Sequence, residues 1–253
     1  MGKNLLIASS QIIKHMKFGI VIYPGAKKQA EMQRVLGTVM GQEVANIHHQ
    51  ETDLGNFTSN DCIVLPGGSS FGDYLRPGAL ATTMPVLSAI RDFTEAGGYV
   101  MGLGNGFQIL CEAGLLPGVL LQNDSARFQC LTTYVKIITS NSPITAAISP
   151  DEILRLPIAH GFGRYFVDDS TLEDLESHDQ ILLKYCNEKG DTQLAHNPNG
   201  ARANIAGICN RERNVFGMMP HPERAAETVL HNTDGRSLLE SLVRTAKTDI
   251  INQ

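Results

Sequence analysis

No two cysteines of this chain form a C-x-x-C pair, no apolar run is long enough to span a membrane, and no excess of basic residues marks a face for polyanions. Each absence removes a class of function. Cys62, Cys111, Cys130, Cys186 and Cys209 are odd in number and widely scattered, so neither a disulfide framework nor a zinc site is expected. That pattern fits a reducing cytoplasm. Nothing approaches the ~20 consecutive apolar residues that cross a bilayer. A formal net charge of −5 offers nucleic acid no electrostatic footing. No His, Asp or Glu cluster has metal-ligand spacing. Internal repeats, low-complexity tracts and linkers are missing as well.

What remains is an ordinary globular balance: 253 residues, 42% hydrophobic and 19% charged. A chain of this length buries roughly three quarters of its unfolded surface. Residues 1–15 read as an extension, because Leu5-Leu6-Ile7-Ala8 is too short for a signal peptide and Met16-Lys17 directly precedes the first convincing strand. Residues 16–253 read as one domain.

The order is strand, loop, helix, repeated. Apolar runs at 18–23, 44–47, 62–65 and 99–101 read as strands, and the spacing over 29–40, 86–96 and 107–113 as helices that stop at Gly41, Gly97 and Gly114. The second half is richer in strand, at 131–138, 153–157, 181–185, 205–209 and 215–219, with a closing helix over 236–247. Near-continuous apolar strands alternating with helices predict an α/β domain, a mostly parallel sheet with helices on both faces. In such sheets ligands bind beyond the carboxyl ends of the strands. Pro66-Gly67-Gly68, Gly102–Gly106 and Pro220-His221 all follow strands and can meet there.

The 99–108 segment resembles the mount for a nucleophile, a sharp strand-to-helix turn at a helix N-terminus. At its tip stands Gly104, which has no side chain. Gly102, Gly104 and Gly106 would let backbone N–H groups approach a reacting carbonyl as an oxyanion hole. The plain alternative is a glycine-rich connecting turn. A dinucleotide loop fits poorly, since Phe107 fills the third glycine position of G-x-G-x-x-G. Pro66 to Asp73 is a second glycine-rich loop, able to give N–H groups to an anion or simply to turn the chain. His221-Pro222-Glu223 pairs a histidine with a carboxylate that can fix its tautomer, the arrangement of a general base, although a lone H-x-E is usually a surface loop. His160 and His196 read as structural histidines.

Taken together, Pro66-Gly67-Gly68, Gly102-x-x-Asn105-Gly106-Phe107-Gln108 and Gly217-Met-Met-Pro-His221-Pro-Glu223-Arg224 resemble, in order and spacing, the class I glutamine amidotransferases. The narrower resemblance is to the glutaminase subunits of phosphoribosylformylglycinamidine synthase. It extends over Gly72-Asp-Tyr-Leu-Arg76, Pro157-Ile-Ala-His-Gly161 and Asn197-Pro-Asn-Gly200. The resemblance implies a flavodoxin-like fold and a cysteine nucleophile at the elbow that attacks the side-chain amide of glutamine. His221, held by Glu223, would activate that thiol. The backbone at Gly68 and Asn105 would form the oxyanion hole, with Gln108 near the glutamine pocket. It also implies no cofactor or metal in this subunit, and an ATP-dependent phosphoribosylformylglycinamidine synthetase subunit as partner. The resemblance further implies a small accessory subunit among the partners of such a complex.

The departures are equally specific. The family's cysteine falls on Gly104. The loop Pro24-Gly25-Ala26-Lys27-Lys28-Gln29 lacks the usual Ser-Asn-Cys-Asp, Pro77 stands for a cysteine, and Phe162 stands for a glutamate. Cys111 lies seven residues further along the elbow helix, roughly 10 Å away at ~1.5 Å per residue, and Cys62 sits within a strand, so neither replaces the missing thiol. The resemblance therefore implies a glutaminase subunit that hydrolyses glutamine poorly or not at all, or a non-catalytic subunit that stabilises or regulates the synthetase.

Overall fold

The computed structural model describes residues 16–248, so the expected extension at 1–15 lies outside the described residues. Strand β1 (Lys17–Ile22) buries Phe18, Ile20 and Val21 because it is flanked by a strand on each side in a sheet covered on both faces. Helix α1 (Gln29–Gln33) runs into a π-helical turn, Arg34–Val39, where the periodicity predicts one regular helix. Met32, Val35 and Leu36 are buried nonetheless. Then come β2 (Glu43–His48), β3 (Cys62–Leu65), α2 (Pro85–Glu95), β4 (Tyr99–Leu103) and α3 (Asn105–Glu112). Helix α2 opens with a proline in its first turn and buries Val86, Leu87, Ala89, Ile90 and Phe93. Each large apolar side chain so buried contributes about 1.5–3 kcal/mol.

The second half runs β5 (Val119–Leu121), β6 (Gln129–Ile137), β7 (Ile153–His160), β8 (Arg164–Phe166), α4 (Asp169–Ser177), β9 (Ile181–Cys186), β10 (Ile205–Cys209), β11 (Val215–Met218) and α5 (Asp234–Thr248). Two features here are not apparent from periodicity. One is α4, capped by the Asp168 side chain, which accepts from the Thr171 N–H at 2.7 Å. The other is the short antiparallel pair β5–β8.

Nine strands form one sheet in the order β2-β1-β3-β4-β11-β10-β9-β6-β7. The first five are mutually parallel. From β11 onward each neighbour is antiparallel, which extends the α/β half into a mixed sheet.

Chain direction fixes where the site sits. From β1 the chain steps outward to β2; from β3 it steps the opposite way to β4. Right-handed crossovers in opposite directions put α1 and α2 on opposite faces. The loops after β1 and β3 therefore diverge at a topological switch point, where a crevice opens. Next to it, α3 lies so close to β3 that a Cβ on Gly106 would run into the Leu65 carbonyl. Only glycine permits that approach, and it brings the start of α3 up to the crevice.

Candidate active site

Strand β4 delivers the chain into a tight elbow. Gly104 adopts φ 52 and ψ −106, a conformation that a residue with a Cβ enters only under strain. Its N–H donates to the Met218 carbonyl at 2.8 Å, and its carbonyl accepts from the Gln108 N–H at 3.1 Å. The first bond ties the elbow to the end of β11; the second starts α3. Two residues past Met219, the His221 N–H donates to the Pro157 carbonyl of β7 at 2.8 Å. The elbow is thus held to the end of β11 and the histidine to β7.

A Cβ built on Gly104 would lie 3.0 Å from Cε1 and 3.2 Å from Nε2 of His221, while one on Gly67 would lie 2.6 Å from Cε1. The three loops singled out in the sequence converge on one imidazole. Its Nδ1 meets Glu223 Oε1 at 2.8 Å, and both side chains are buried. A carboxylate accepting at Nδ1 leaves Nε2 as the basic nitrogen, turned toward position 104. A histidine and carboxylate so paired have the arrangement of a general base and its orienting acid, and the residue facing Nε2 is a glycine.

The remaining candidates divide into two groups. Gly68, at φ 136, is pressed against the loop after β1, and a Cβ there would lie 3.0 Å from Ala26 Cα. Among the described residues nothing takes up the N–H of Gly68 or of Asn105; the latter opens α3 and has no partner within the helix. Both are free to serve an oxyanion. The Asn105 and Gln108 side chains do something else. Asn105 Oδ1 accepts from the Ser70 N–H at 3.0 Å, and its amide donates to Gln108 Oε1 at 2.9 Å. Gln108 Nε2 donates to the Phe162 carbonyl at 2.7 Å. These amides tie the loop after β3 and the loop after β7 to α3.

His160 is buried close to this cluster, its ring nitrogens facing Asn123 Oδ1 at 3.1 Å and Asn199 Nδ2 at 3.4 Å. Burial, with a smaller contribution from the charge of His221, pushes it down to about 4. His160 is a neutral structural histidine. His196 pairs with Asn187 and Asp191, away from these groups.

Beside His221 a cleft of ≈ 400 Å³ opens at the switch point. Gly25, Lys27, Lys28, Gly68 and Ser69 line it from the two diverging loops, with Phe128, Cys130 and Ala159 along β6 and β7, and Arg224 beyond His221. A larger cavity of ≈ 470 Å³, between Thr94, Ser142 and Arg213, lies at the amino ends of β4 and β11 and contains none of these groups. Glu31 spans Lys28 and Arg224 at 2.9 Å each. Burial opposes its ionisation, but hydrogen bonds from those two cations outweigh it and hold its carboxyl below the usual range. Arg224 closes the His221 motif and Lys28 lies in the loop after β1, whereas Cys130 belongs to the cleft by topology alone, with no local motif to announce it.

Cys130 is exposed, whereas the other four cysteines are buried. Burial raises the Cys62 and Cys111 thiols and takes Cys186 and Cys209 to about 11. Among the described residues no group of His, Cys, Asp and Glu is arranged to hold a metal, and no helix is long and apolar enough to cross a membrane.

Residues 15–245 match the CobB/CobQ-like glutamine amidotransferase domain. The chain is 47% identical over 228 residues to the phosphoribosylformylglycinamidine synthase subunit PurQ of Moorella thermoacetica, covering 90% of this chain and 95% of that protein. It is 46% identical to the same subunit of Aquifex aeolicus, covering 90% and 99%. Among solved structures, a chain of PurLQS from Thermotoga maritima superposes with a TM-score of 0.79 at 37% identity, over 92% of this chain and 99% of that one.

Proposed function

Since the chain belongs to the CobB/CobQ-like glutamine amidotransferases, and among them to the PurQ subunits of phosphoribosylformylglycinamidine synthase, we propose that it keeps their site without their nucleophile. It is a glutaminase subunit of purine biosynthesis whose working partner is the synthetase subunit PurL. Gly104 makes it defective in glutamine hydrolysis. The observation that carries this reading is the approach of His221 Nε2 to within 3.2 Å of where a Cβ at 104 would stand.

In a complete site, the thiol at that position gives its proton to Nε2 and attacks the amide carbon. The N–H groups of Gly68 and Asn105 then meet the developing oxyanion, and the imidazolium protonates departing ammonia. Here His221 and Glu223 are in place and the attacking atom is not. Removing the covalent nucleophile of such a constellation costs on the order of a million-fold in turnover. Cys111, buried with its Sγ toward the Pro117 carbonyl, and Cys62, buried in β3, have no path to the elbow.

A second reading follows from the same glycine. The matching length, the retained fold and the empty elbow fit a non-catalytic subunit that stabilises or regulates the synthetase while free ammonia supplies nitrogen. No cofactor enters this scheme, and five free cysteines fit a cytoplasmic setting. Co-expression with the synthetase tests both readings. The complex should form and make product with ammonium, and glutamine should not replace ammonium. If glutamine sustains synthesis, the hydrolysis defect is refuted; if no complex forms, the subunit reading falls.

A further inference from the structure

Glu223 holds the tautomer of His221 through Oε1, while its other oxygen, Oε2, is buried with no hydrogen-bond partner among the described residues. No second side chain fixes this carboxylate, so its aim depends on the short turn Pro222–Arg224 that carries it. That turn is held on two sides. At its back, helix α5 comes so close that a Cβ on Gly235 would run into the Pro222 carbonyl. At its front, Arg224 is bonded twice. Its backbone N–H donates to the His221 carbonyl at 3.2 Å, and its Nε donates to Glu31 Oε2 of α1 at 2.9 Å. The loop leading into α1 is packed in turn on the glycine loop after β3. The Phe71 N–H donates to the Pro24 carbonyl at 2.6 Å, and a Cβ on Gly68 would lie 3.0 Å from Ala26 Cα. Residues 24–31 therefore touch both the loop that carries Gly68 and the turn that carries the base.

We propose that Glu31 is a positioning residue for His221, acting through Arg224 to set the turn that aims Glu223 at Nδ1. Glu31 touches no reacting atom. On the glutaminase-subunit reading, on which this role rests, a displaced turn misaims the base and slows turnover without weakening the hold on glutamine. Arg34, in the π-helical turn after α1, provides the contrast. Its guanidinium grips Glu227 at 3.0 and 2.7 Å, but it attaches beyond the turn, past Ala225 and Ala226. Loss of that pair removes a comparable surface interaction and leaves the path from Glu31 to His221 intact.

The experiment follows solvent exchange of the His221 Nδ1–H by NMR in the full chain, labelled at histidine, for the parent and three single variants. Glu31→Gln and Arg224→Gln should each speed exchange by about tenfold, and the double variant by no more than either alone. Arg34→Gln should change it by less than about twofold. Melting temperatures should fall by no more than about 4 °C in all three, because ion pairs this exposed add little to stability. In the Gly104→Cys complex with the synthetase, Glu31→Gln should lower kcat for ammonia release about tenfold, with KM within about twofold. Unchanged exchange in Glu31→Gln, an equal effect of Arg34→Gln, exchange too fast to follow in the parent, or a loss confined to KM overturns the proposal. A Gly104→Cys complex that releases no ammonia would instead overturn the reading beneath it, and the exchange rates would still decide the role of Glu31.

Discussion

His221 faces Gly104 across 3.2 Å, measured from Nε2 to the point where a Cβ would stand. That separation is tighter than an ordinary van der Waals contact, so the imidazole must yield a few tenths of an ångström to any side chain placed there.

Gly104→Ala should therefore destabilise the protein without removing any hydrogen bond. The elbow's φ of 52 is strained for a residue with a Cβ, and the methyl also presses on His221. We expect a loss of about 1–3 kcal/mol, seen as a melting temperature lower by about 2–4 °C per kcal/mol. An unchanged or raised melting temperature would show that the elbow relaxes freely.

Glu223→Gln should matter only once a nucleophile is present. With Gly104→Cys as background, loss of the carboxylate removes the acceptor that fixes the His221 tautomer, and turnover of glutamine should fall by about 10³–10⁴-fold. A fall of less than about tenfold would show that the 2.8 Å bond is structural only.

His160 provides a pH signature. Its folded value is depressed to about 4 from the ordinary 6.5, burial being the main cause. Between those two values the unfolded chain binds a proton that the folded chain refuses. Stability from this residue is therefore complete above about pH 6.5, declines as pH falls, and levels off below about pH 4, a total of about 3 kcal/mol. Urea unfolding across that range should show the decline, and His160→Gln should lack this component while being less stable at pH 7. A His160→Gln profile parallel to the parent's would locate the acid sensitivity elsewhere.

Much of this architecture is legible in the sequence, for identifiable reasons. Strands β1, β3 and β10 stand out because residues such as Phe18, Val64 and Ile208 are buried from both faces and leave uninterrupted apolar runs. Helix α4 does not stand out, because it lies on the surface and buries Leu175 alone, so no apolar stripe marks it. Strands β5 and β8 are three residues each, below the length at which period-two alternation can be detected. At the site, His221, Glu223 and the glycine loops are local motifs. The cleft is only partly so: Arg224 closes the His221 motif, but Lys27 and Cys130 lie about a hundred residues apart, and nothing local brings them together.

The most direct test of the account is ammonia release from glutamine by this chain in complex with its synthetase, beside a Gly104→Cys version of the same complex. Release is predicted for the cysteine version alone, since His221, with Glu223 on its Nδ1, already stands beside position 104. Comparable release by the chain as it stands would contradict it, as would a folded, assembled Gly104→Cys complex that releases none.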